Sequence, residues 1–448
     1  MSVALVMATP ALSYAHATLI SADPSAGSTL LASPRRIRLV FSEQLEASLG
    51  RISIEGSDGK VVRLAAAGDP HDVYSLVAPL DSLAPGEYRV TWRVVSADGH
   101  PVEGTYRFIV SSPDGATTAR PAPVPPPNGA PANAARLDST IDSNGAAAPT
   151  FGPSIAGAPV IASLLRGLAL ATLMGATGLL VFLSWFGRAS VVAAPRAIVL
   201  ARWLALAALL FLALHFCVWV VNAAGDHGLN SETIAAVLAS SVGHVELWRL
   251  GLALLAAVAI ALARWPRLAL PFAVGALCVS GITGHSVVIR PLWTVPAKAL
   301  HLLAAAVWLG GLLWLLTFDR DDVRRFARHA GRVSSVALSA VIIVTLSGLV
   351  QTWFFVHDPN ALIHTAYGIV TLAKIAGLLV LVAFGAYHRK RVLPWLAVDP
   401  ENPARFAATL RDEVGVMIVV VLLGGLLGYL PPPPRDPSFD SPPPSADQ

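Results

Sequence analysis

The sequence predicts two structural classes in one chain, an all-β sandwich followed by an all-α membrane domain of eight transmembrane helices. Short segments that alternate polar and apolar residues fill the first 110 positions, and eight long apolar segments follow from residue 158. The composition is 54% hydrophobic and 13% charged, with a mean hydropathy of +0.62. Such a chain is too apolar for a soluble protein of 448 residues and indicates several membrane spans.

The first fifteen residues, Met1 to Ala15, have the pattern of a signal peptide. An apolar run from Val3 to Leu12 precedes Ser13 and Ala15, which are small residues suited to the −3 and −1 positions of a cleavage site. The usual basic residue near the start is missing. Cleavage after Ala15 would make His16 the first residue of the mature protein.

Residues 16–110 are predicted to form the sandwich, because short alternating segments are separated by turn signals such as Ser57-Asp58-Gly59 and Pro85-Gly86. The predicted strands cover residues 36–41, 51–54, 61–64, 88–95 and 104–110. Residues 111–157 are rich in Pro, Ala, Gly and Ser and are predicted to be a semi-extended tether. Residues 431–448 form a Pro-rich tail.

Eight apolar segments between residues 158 and 430 are each long enough, or nearly so, to cross about 30 Å of hydrocarbon as a helix. Their predicted limits are 158–184, 197–223, 246–265, 267–288, 295–318, 332–356, 362–388 and 412–430. Arginines and lysines concentrate in alternate connections, the first, third, fifth and seventh. The positive-inside rule therefore predicts that these connections are cytoplasmic and that the sandwich and the tail lie outside.

The histidines of the membrane domain are unevenly distributed on this topology. Seven are predicted at or near the outer side: His215, His227, His244, His285, His301, His357 and His364. Only His329 and His388 are predicted on the cytoplasmic side. Ionisable groups at membrane depth are costly unless they have a role, and imidazole binds copper, zinc, iron and nickel. His285 and His301 are the candidate metal ligands of this domain.

A second candidate site combines His16 with Asp98 and His100. A mature N-terminal His16 would offer an imidazole and an α-amine from one residue. Asp98 and His100, separated by Gly99, would point to one side of an extended chain. Two imidazoles, one amine and one carboxylate form a tetragonal set that suits Cu(II). Asp69 and His71 repeat the Asp-x-His spacing and are interpreted as a decoy.

Other features have structural interpretations. Cys217 and Cys278 both lie in apolar runs, so they are predicted to be small buried residues and not a disulfide. Trp308-Leu309-Gly310-Gly311 predicts close helix packing. Lys374, inside an apolar span, requires a partner or a wet cavity. The basic residues behind the net charge of +4 are not concentrated in one patch, which argues against nucleic acid as a partner. The sequence shows no nucleotide-binding loop, which argues against ATP-driven pumping by this chain alone.

Two stretches resemble known families. Residues 16–110 resemble the periplasmic copper-binding protein CopC, through Tyr88-Arg89-Val90-Thr91-Trp92-Arg93-Val94-Val95-Ser96-Ala97-Asp98-Gly99-His100-Pro101. Residues 158–430 resemble the membrane protein CopD, through Gly284-His285, the run from His301 to Gly311, and Lys374 to Arg391. The resemblance implies an immunoglobulin-like or cupredoxin-like sandwich that holds Cu(II) through His16, Asp98 and His100. The sandwich has no methionine, so a Cu(I) site is not implied.

The resulting hypothesis is a multi-pass inner-membrane protein that captures Cu(II) in the periplasm and passes it to the membrane domain for copper uptake. Its expected partners are the copper ion, the lipid bilayer and a periplasmic copper donor. Copper resistance by sequestration or efflux remains an alternative, as do a haem or copper membrane redox protein and a copper sensor or storage module without transport. An oxidative copper enzyme is disfavoured, because Asp98 would occupy the position in the copper plane that oxygen needs.

Overall fold

The computed structural model describes residues 17–111, 158–186, 193–225, 228–262, 266–318, 323–396 and 402–433. Contacts divide the chain between Ser154 and Ile155, so the described residues fall into a β unit (17–111) and a helical unit (158–433). Each unit has a hydrophobic core of its own. The predicted signal peptide lies outside the described residues, as do nearly all of the tether and most of the tail.

Nine strands form the β unit. They are β1 (Leu19–Asp23), β2 (Thr29–Leu30), β3 (Arg36–Phe41), β4 (Arg51–Glu55), β5 (Val61–Leu64), β6 (Ala67–Asp69), β7 (Asp72–Pro79), β8 (Gly86–Val95) and β9 (Pro101–Val110). One sheet has the order β1-β3-β7-β6 and the other the order β2-β9-β8-β4-β5. The pairing of β2 with β9 is parallel, whereas the other pairings are antiparallel.

The two sheets share one apolar core because their strands alternate buried and exposed residues. On β8, Val90, Trp92 and Val94 are buried while Arg89 and Thr91 are exposed. Trp92 meets Phe41 of the other sheet edge to face, with ring centroids 5.0 Å apart. Burying a large side chain of this kind stabilises the fold by roughly 1.5–3 kcal/mol. The predicted all-β class is confirmed, and the assignment to an immunoglobulin-like or cupredoxin-like type stays a prediction.

The β8–β9 hairpin depends on a glycine opposite Trp92. Trp92 and Gly104 are register partners, and a Cβ atom at position 104 would lie 2.4 Å from Cζ2 of the indole. No side chain fits at this distance, so the tryptophan packs over the glycine backbone. This hairpin carries the segment from Ser96 to His100.

The five strands predicted from the sequence are all present, as β3, β4, β5, β8 and β9. The other four strands were not predicted. In β7, Val73 and Tyr74 are exposed whereas Ser75 and Leu76 are buried, so the polarity of its residues does not follow their burial. Simple alternation therefore fails to mark this strand.

The described residues after position 157 form helices α1 (Ala158–Phe186), α2 (Ala193–Ala224), α3 (Ser231–Ala239), α4 (Ser241–Leu262), α5 (Pro266–Gly281), α6 (Pro291–Leu316), α7 (Val323–Phe355), α8 (Ala361–His364), α9 (Ala366–Tyr387), α10 (Leu393–Trp395) and α11 (Asn402–Leu427). A short 3₁₀ turn covers Gly284–Val287, and a π-helical turn covers His388–Val392. Helix α1 packs against α2, α5, α6 and α11.

Six helices within the described residues are long and apolar enough to cross a membrane: α1, α2, α4, α6, α7 and α9. The other two predicted spans are also helical. Helix α5 has 16 residues, which is about 24 Å and shorter than the hydrocarbon core. Helix α11 carries Arg405, Arg411, Asp412 and Glu413 in its first half. The count of eight spans therefore stays a prediction.

The predicted packing motif in α6 lies where this helix crosses α1. A Cβ atom at Gly310 would lie 2.1 Å from the backbone carbon of Gly178, and one at Gly178 would lie 1.9 Å from the backbone oxygen of Ala306. The two backbones approach this closely only because both positions lack a side chain. The crossing fixes α6, which carries His301 and Trp308.

Candidate functional site

Asp98 and His100 lie in the tight turn that joins β8 to β9. The Ser96 N–H donates to the His100 carbonyl oxygen (3.0 Å), and the Gly99 N–H donates to the Ser96 carbonyl oxygen (2.8 Å). Gly99 has a φ of +93°, a conformation that favours glycine. The expectation that Asp98 and His100 lie on extended chain is therefore wrong, because the chain reverses direction at Gly99.

The turn nevertheless brings the two side chains together. Asp98 Oδ1 accepts the backbone N–H of His100 (3.0 Å), and Asp98 Oδ2 lies 3.0 Å from His100 Nδ1. One carboxylate thus contacts both the backbone and the imidazole of the same residue. A neighbouring segment supports the turn, since the Ser96 hydroxyl donates to Glu43 Oε2 (2.6 Å) and the Ala97 N–H donates to the Gln44 carbonyl oxygen (2.9 Å).

The second Asp-x-His sequence, Asp69 and His71, has a different environment. Asp69 Oδ1 also accepts the backbone N–H of the histidine two residues later (3.0 Å), but Asp69 Oδ2 lies 3.5 Å from Nε of Arg38. A guanidinium, which also pairs with Asp72, therefore lies beside this carboxylate. His16, the third predicted ligand of the ectodomain site, lies outside the described residues.

His285 and His301 line one cavity of about 430 Å³ inside the helical unit, here called the first cavity. His285 is in the 3₁₀ turn, which follows α5, and its Nε2 lies 3.0 Å from the Leu430 carbonyl oxygen. His301 is in α6, and its Nδ1 lies 3.1 Å from the Ser347 hydroxyl of α7. The structure therefore brings together the two histidines that the sequence singled out in this domain.

The first cavity has a basic lining. Arg166, Arg249, Lys298 and Lys374 all contribute, and no carboxylate is among the described residues that line it. Arg166 Nη2 donates to the Thr283 hydroxyl (3.2 Å), and Lys298 Nζ donates to the Ser286 hydroxyl (3.1 Å). For Lys374 the described part of the chain supplies no hydrogen bond or ion pair. Lys374 lines a cavity, which agrees with the expectation that a lysine inside an apolar span requires a partner or a wet cavity.

A buried polar network adjoins the first cavity. Arg249 forms an ion pair with Glu246 one turn earlier in α4, and its Nη2 lies 3.4 Å from His215 Nδ1. His215 Nε2 in turn lies 2.8 Å from the Tyr429 hydroxyl. Sequence reasoning missed Glu246 and Arg249. Opposite charges three residues apart in an apolar span, which face each other on a helix, were the available signal.

A second cavity of about 220 Å³ contains the other group that sequence reasoning missed. Glu413 of α11 and His388, the first residue of the π-helical turn, both line it and are both buried. His388 Nδ1 lies 3.2 Å from Glu413 Oε2, and the Trp308 indole N–H donates to Glu413 Oε1 (3.2 Å). A carboxylate inside a predicted span was the signal for this site.

Three family models match separate parts of the chain. A model described as "CopC domain" matches residues 19–111, "Copper resistance protein D-like, N-terminal domain" matches residues 157–290, and "Copper resistance protein D" matches residues 320–427. The first match covers the β unit with the Asp98–His100 turn. The other two cover most of the helical unit.

Individual relatives agree with these matches. "Copper transport protein CutJ" of Bacillus subtilis is 26% identical over 457 residues, covering 95% of this chain and 76% of that protein. "Protein YobA" of Escherichia coli is 40% identical over 106 residues, covering 23% of this chain and 85% of that protein. "Copper resistance protein C" of Escherichia coli is 34% identical over 116 residues, covering 24% of this chain and 90% of that protein.

The matched regions follow one another along a single polypeptide in the order expected from the sequence. The relative that matches almost the whole chain spans both regions. The chain therefore belongs to the copper resistance family in which a CopC domain is fused to a CopD membrane protein.

Proposed function

We propose that this protein captures Cu(II) outside the cytoplasmic membrane and passes it into the helical unit for uptake. The observation that carries the proposal is the 3.0 Å separation between His100 Nδ1 and Asp98 Oδ2. Two donor atoms this far apart can bind one ion at about 2 Å from each, which is the usual length of a metal–ligand bond to nitrogen or oxygen. A CopC family match over the same residues supports copper as the ion.

His16 completes the proposed capture site. Its α-amine and imidazole would add two nitrogen donors to Asp98 and His100, giving the tetragonal set that Cu(II) prefers. The proposal keeps the division into a signal peptide (1–15), a capture domain (16–110), a tether (111–157), a membrane domain (158–430) and a tail (431–448). The tether holds the capture domain at high local concentration beside its acceptor.

The acceptor in the membrane domain is the first cavity, with His285 and His301 as metal ligands. Imidazole nitrogens on two different elements, both lining one cavity, support this role. The positive-inside rule puts the capture domain and this end of the bundle in the periplasm of an inner-membrane protein. We propose a periplasmic copper donor as the partner of the capture domain.

The basic lining of the first cavity adds a condition. Glu246 balances the charge of Arg249, but Arg166, Lys298 and Lys374 also line the cavity, and no carboxylate is among its described lining residues. Such a lining would repel a bare copper ion, and repulsion is strong where water is scarce. We infer that copper enters this cavity together with an anionic ligand such as a carboxylate. Lys374, which lacks a partner within the described helices, is the residue best placed to pair with that anion.

Two measurements test the capture site. Mass spectrometry of the mature chain identifies its first residue, which the proposal requires to be His16. Cu(II) titration of the full-length protein then compares wild type with His16→Ala and His100→Gln, with His71→Gln as a matched control. Loss of high-affinity binding in the first two variants alone supports the site. Unchanged binding in His16→Ala would overturn it.

Cell-associated copper tests the direction of transport. Cells that express the protein are expected to accumulate more copper than cells without it, and His285→Gln together with His301→Gln should abolish the difference. Lower accumulation in the expressing cells would contradict uptake and favour resistance by efflux, whereas higher accumulation that persists in the double variant would favour sequestration. A Soret band in the purified protein would instead establish a haem-containing redox protein.

A further inference from the structure

The two cavities of the helical unit lie end to end along the same four helices, α6, α7, α9 and α11. On α6, His301 lines the first cavity and Leu312 the second, whereas on α11 the order is reversed, with Glu413 in the second and Gly424 in the first. Trp308 and Leu381 line both cavities. These two side chains therefore form the partition between them.

Trp308 is held in the partition by one polar contact. Its ring is 4% exposed, and its Nε1–H donates to Glu413 Oε1 (3.2 Å). If the indole N–H moved away from this acceptor and found no other, a buried donor would be left without a hydrogen bond, which is energetically costly. The position of the ring is thus coupled to the position of the Glu413 carboxylate.

Glu413 is held in turn by His388, which also contacts Thr409. The Thr409 hydroxyl donates its only hydrogen to the Phe406 carbonyl oxygen (2.9 Å). The same hydroxyl oxygen lies 2.9 Å from His388 Nε2. His388 Nδ1 then faces Glu413 Oε2 at 3.2 Å. A protonated imidazole attracts the carboxylate at this distance, and the attraction between the two charges is lost when the proton leaves.

The surroundings of the pair contain few other ionisable groups. Among the described lining residues, α6, α7 and α10 contribute none to the second cavity, and the π-helical turn contributes Arg389 and Lys390. Glu413 is the one carboxylate among those residues. Both basic side chains are exposed, so the Glu413–His388 pair is the buried group that can exchange a proton there.

We propose that Glu413 and His388 form a proton-binding site that gates the passage between the two cavities through Trp308. With the proton bound, Glu413 stays beside His388 and holds the indole in the partition. When the proton leaves to water in the second cavity, the imidazole becomes neutral and holds the carboxylate less strongly. Glu413 then moves, Trp308 is released, and the cavities join. As a step in transport this rests on the proposed copper uptake, but the gate itself does not depend on copper.

Cysteine labelling of the full-length protein in spheroplasts tests the gate. In a Cys217→Ala, Cys278→Ala background, Ser334→Cys reports on the second cavity and Thr345→Cys on the first, both residues lining those cavities on α7. A membrane-impermeant thiol reagent is added outside. We expect Thr345→Cys to react at every pH and Ser334→Cys to react faster as the pH rises, by at most about tenfold per pH unit for one proton.

Three variants make the test specific. In Glu413→Gln, the amide oxygen can accept from the Trp308 N–H and the amide N–H can donate to a neutral His388, so these contacts do not depend on a bound proton. Ser334→Cys should therefore stay unreactive at every pH. Trp308→Ala removes the barrier, so the same cysteine should react at every pH. Trp308→Phe keeps the ring but lacks the N–H and should react faster than wild type at low pH.

The outcomes separate the two proposals. The gate would be overturned if the labelling of Ser334→Cys did not depend on pH in the chain with Glu413 and Trp308 intact. It would also be overturned if Glu413→Gln left the pH dependence unchanged. Thr345→Cys that fails to react from outside would overturn the proposed orientation. If the labelling behaves as expected but the protein does not change the copper content of the cells, the gate is supported and the proposed copper uptake is contradicted.

Discussion

His100 Nδ1 lies 3.0 Å from Asp98 Oδ2, and the backbone N–H of His100 donates to Oδ1 of the same carboxylate. The side chain and the backbone of the histidine are thereby oriented by one group. The Asp69–His71 pair shares the backbone contact, but its second oxygen lies near Arg38. This difference makes one pair a candidate site and the other a control.

Replacing Asp98 with Asn should weaken copper binding. The amide keeps the shape of the side chain but removes its negative charge, and the loss of a ligand or of an orienting partner commonly lowers metal affinity by ~10- to 100-fold. Cu(II) titration by calorimetry measures the change. Asp69→Asn should bind copper as wild type does, and an equal loss in both variants would contradict the site.

The stability of the β unit should depend on Asp72 at low pH. Hydrogen bonds from the Ser75 hydroxyl and the Tyr74 backbone N–H, together with the charge of Arg38, hold the pKa of the Asp72 carboxyl below its usual value. A lowered folded-state pKa stabilises the fold above the unfolded-state pKa, and this stabilisation is lost as the pH falls through the folded-state pKa.

Thermal unfolding of residues 16–111, compared at neutral and acidic pH, measures this effect. The unit has a hydrophobic core of its own. The region that it matches makes up 90% of Copper resistance protein C of Escherichia coli, so the unit is suited to separate expression. Asp72→Asn should lower the melting temperature at neutral pH and reduce the loss on acidification. A pH profile identical to wild type would contradict the role of Asp72.

The crossing of α1 and α6 should not tolerate a side chain at Gly310. Forcing extra atoms into a packed contact commonly costs ~1–3 kcal/mol, and here the obstructing atoms belong to the backbone of Gly178. Gly310→Leu should therefore lower the thermal stability of the detergent-solubilised protein. Gly331→Ala is the control, because nothing lies within 4 Å of a Cβ atom there. Equal effects of both changes would show that the crossing is not tightly packed.

The charge of Lys374 should matter for copper uptake. Lys374→Met removes the cation proposed to pair with an anion in the first cavity, whereas Lys374→Arg keeps it. Copper accumulation should fall several-fold in the methionine variant and remain near wild type in the arginine variant, because a charge pair in a poorly hydrated cavity is strongly favoured. Accumulation that is higher in the methionine variant would show that the cation only repels copper.

The sequence predicted β strands that mostly alternate polar and apolar residues, and it missed β7, in which burial and polarity disagree. It identified the Trp308–Gly311 segment as a packing site, because adjacent glycines indicate that another helix packs closely there, even when the partner helix is unknown. Glu413 escaped it because Asp412 and Glu413 lie at the very start of a predicted span, where carboxylates resemble interfacial residues. Only its contacts with His388 and Trp308 distinguish it.

What the sequence by itself determined is the order of the regions, the all-β and all-α classes, the family and the residue types of the candidate sites. These follow from periodicity, composition and short motifs, which depend on residues close together in the chain. The tertiary structure alone decided that Asp98 supports His100 in a turn, that His285 and His301 share a cavity, and that Glu413 links His388 to Trp308. Such contacts join residues 2 to 105 positions apart, and packing geometry, which local sequence does not encode, determines which of them form.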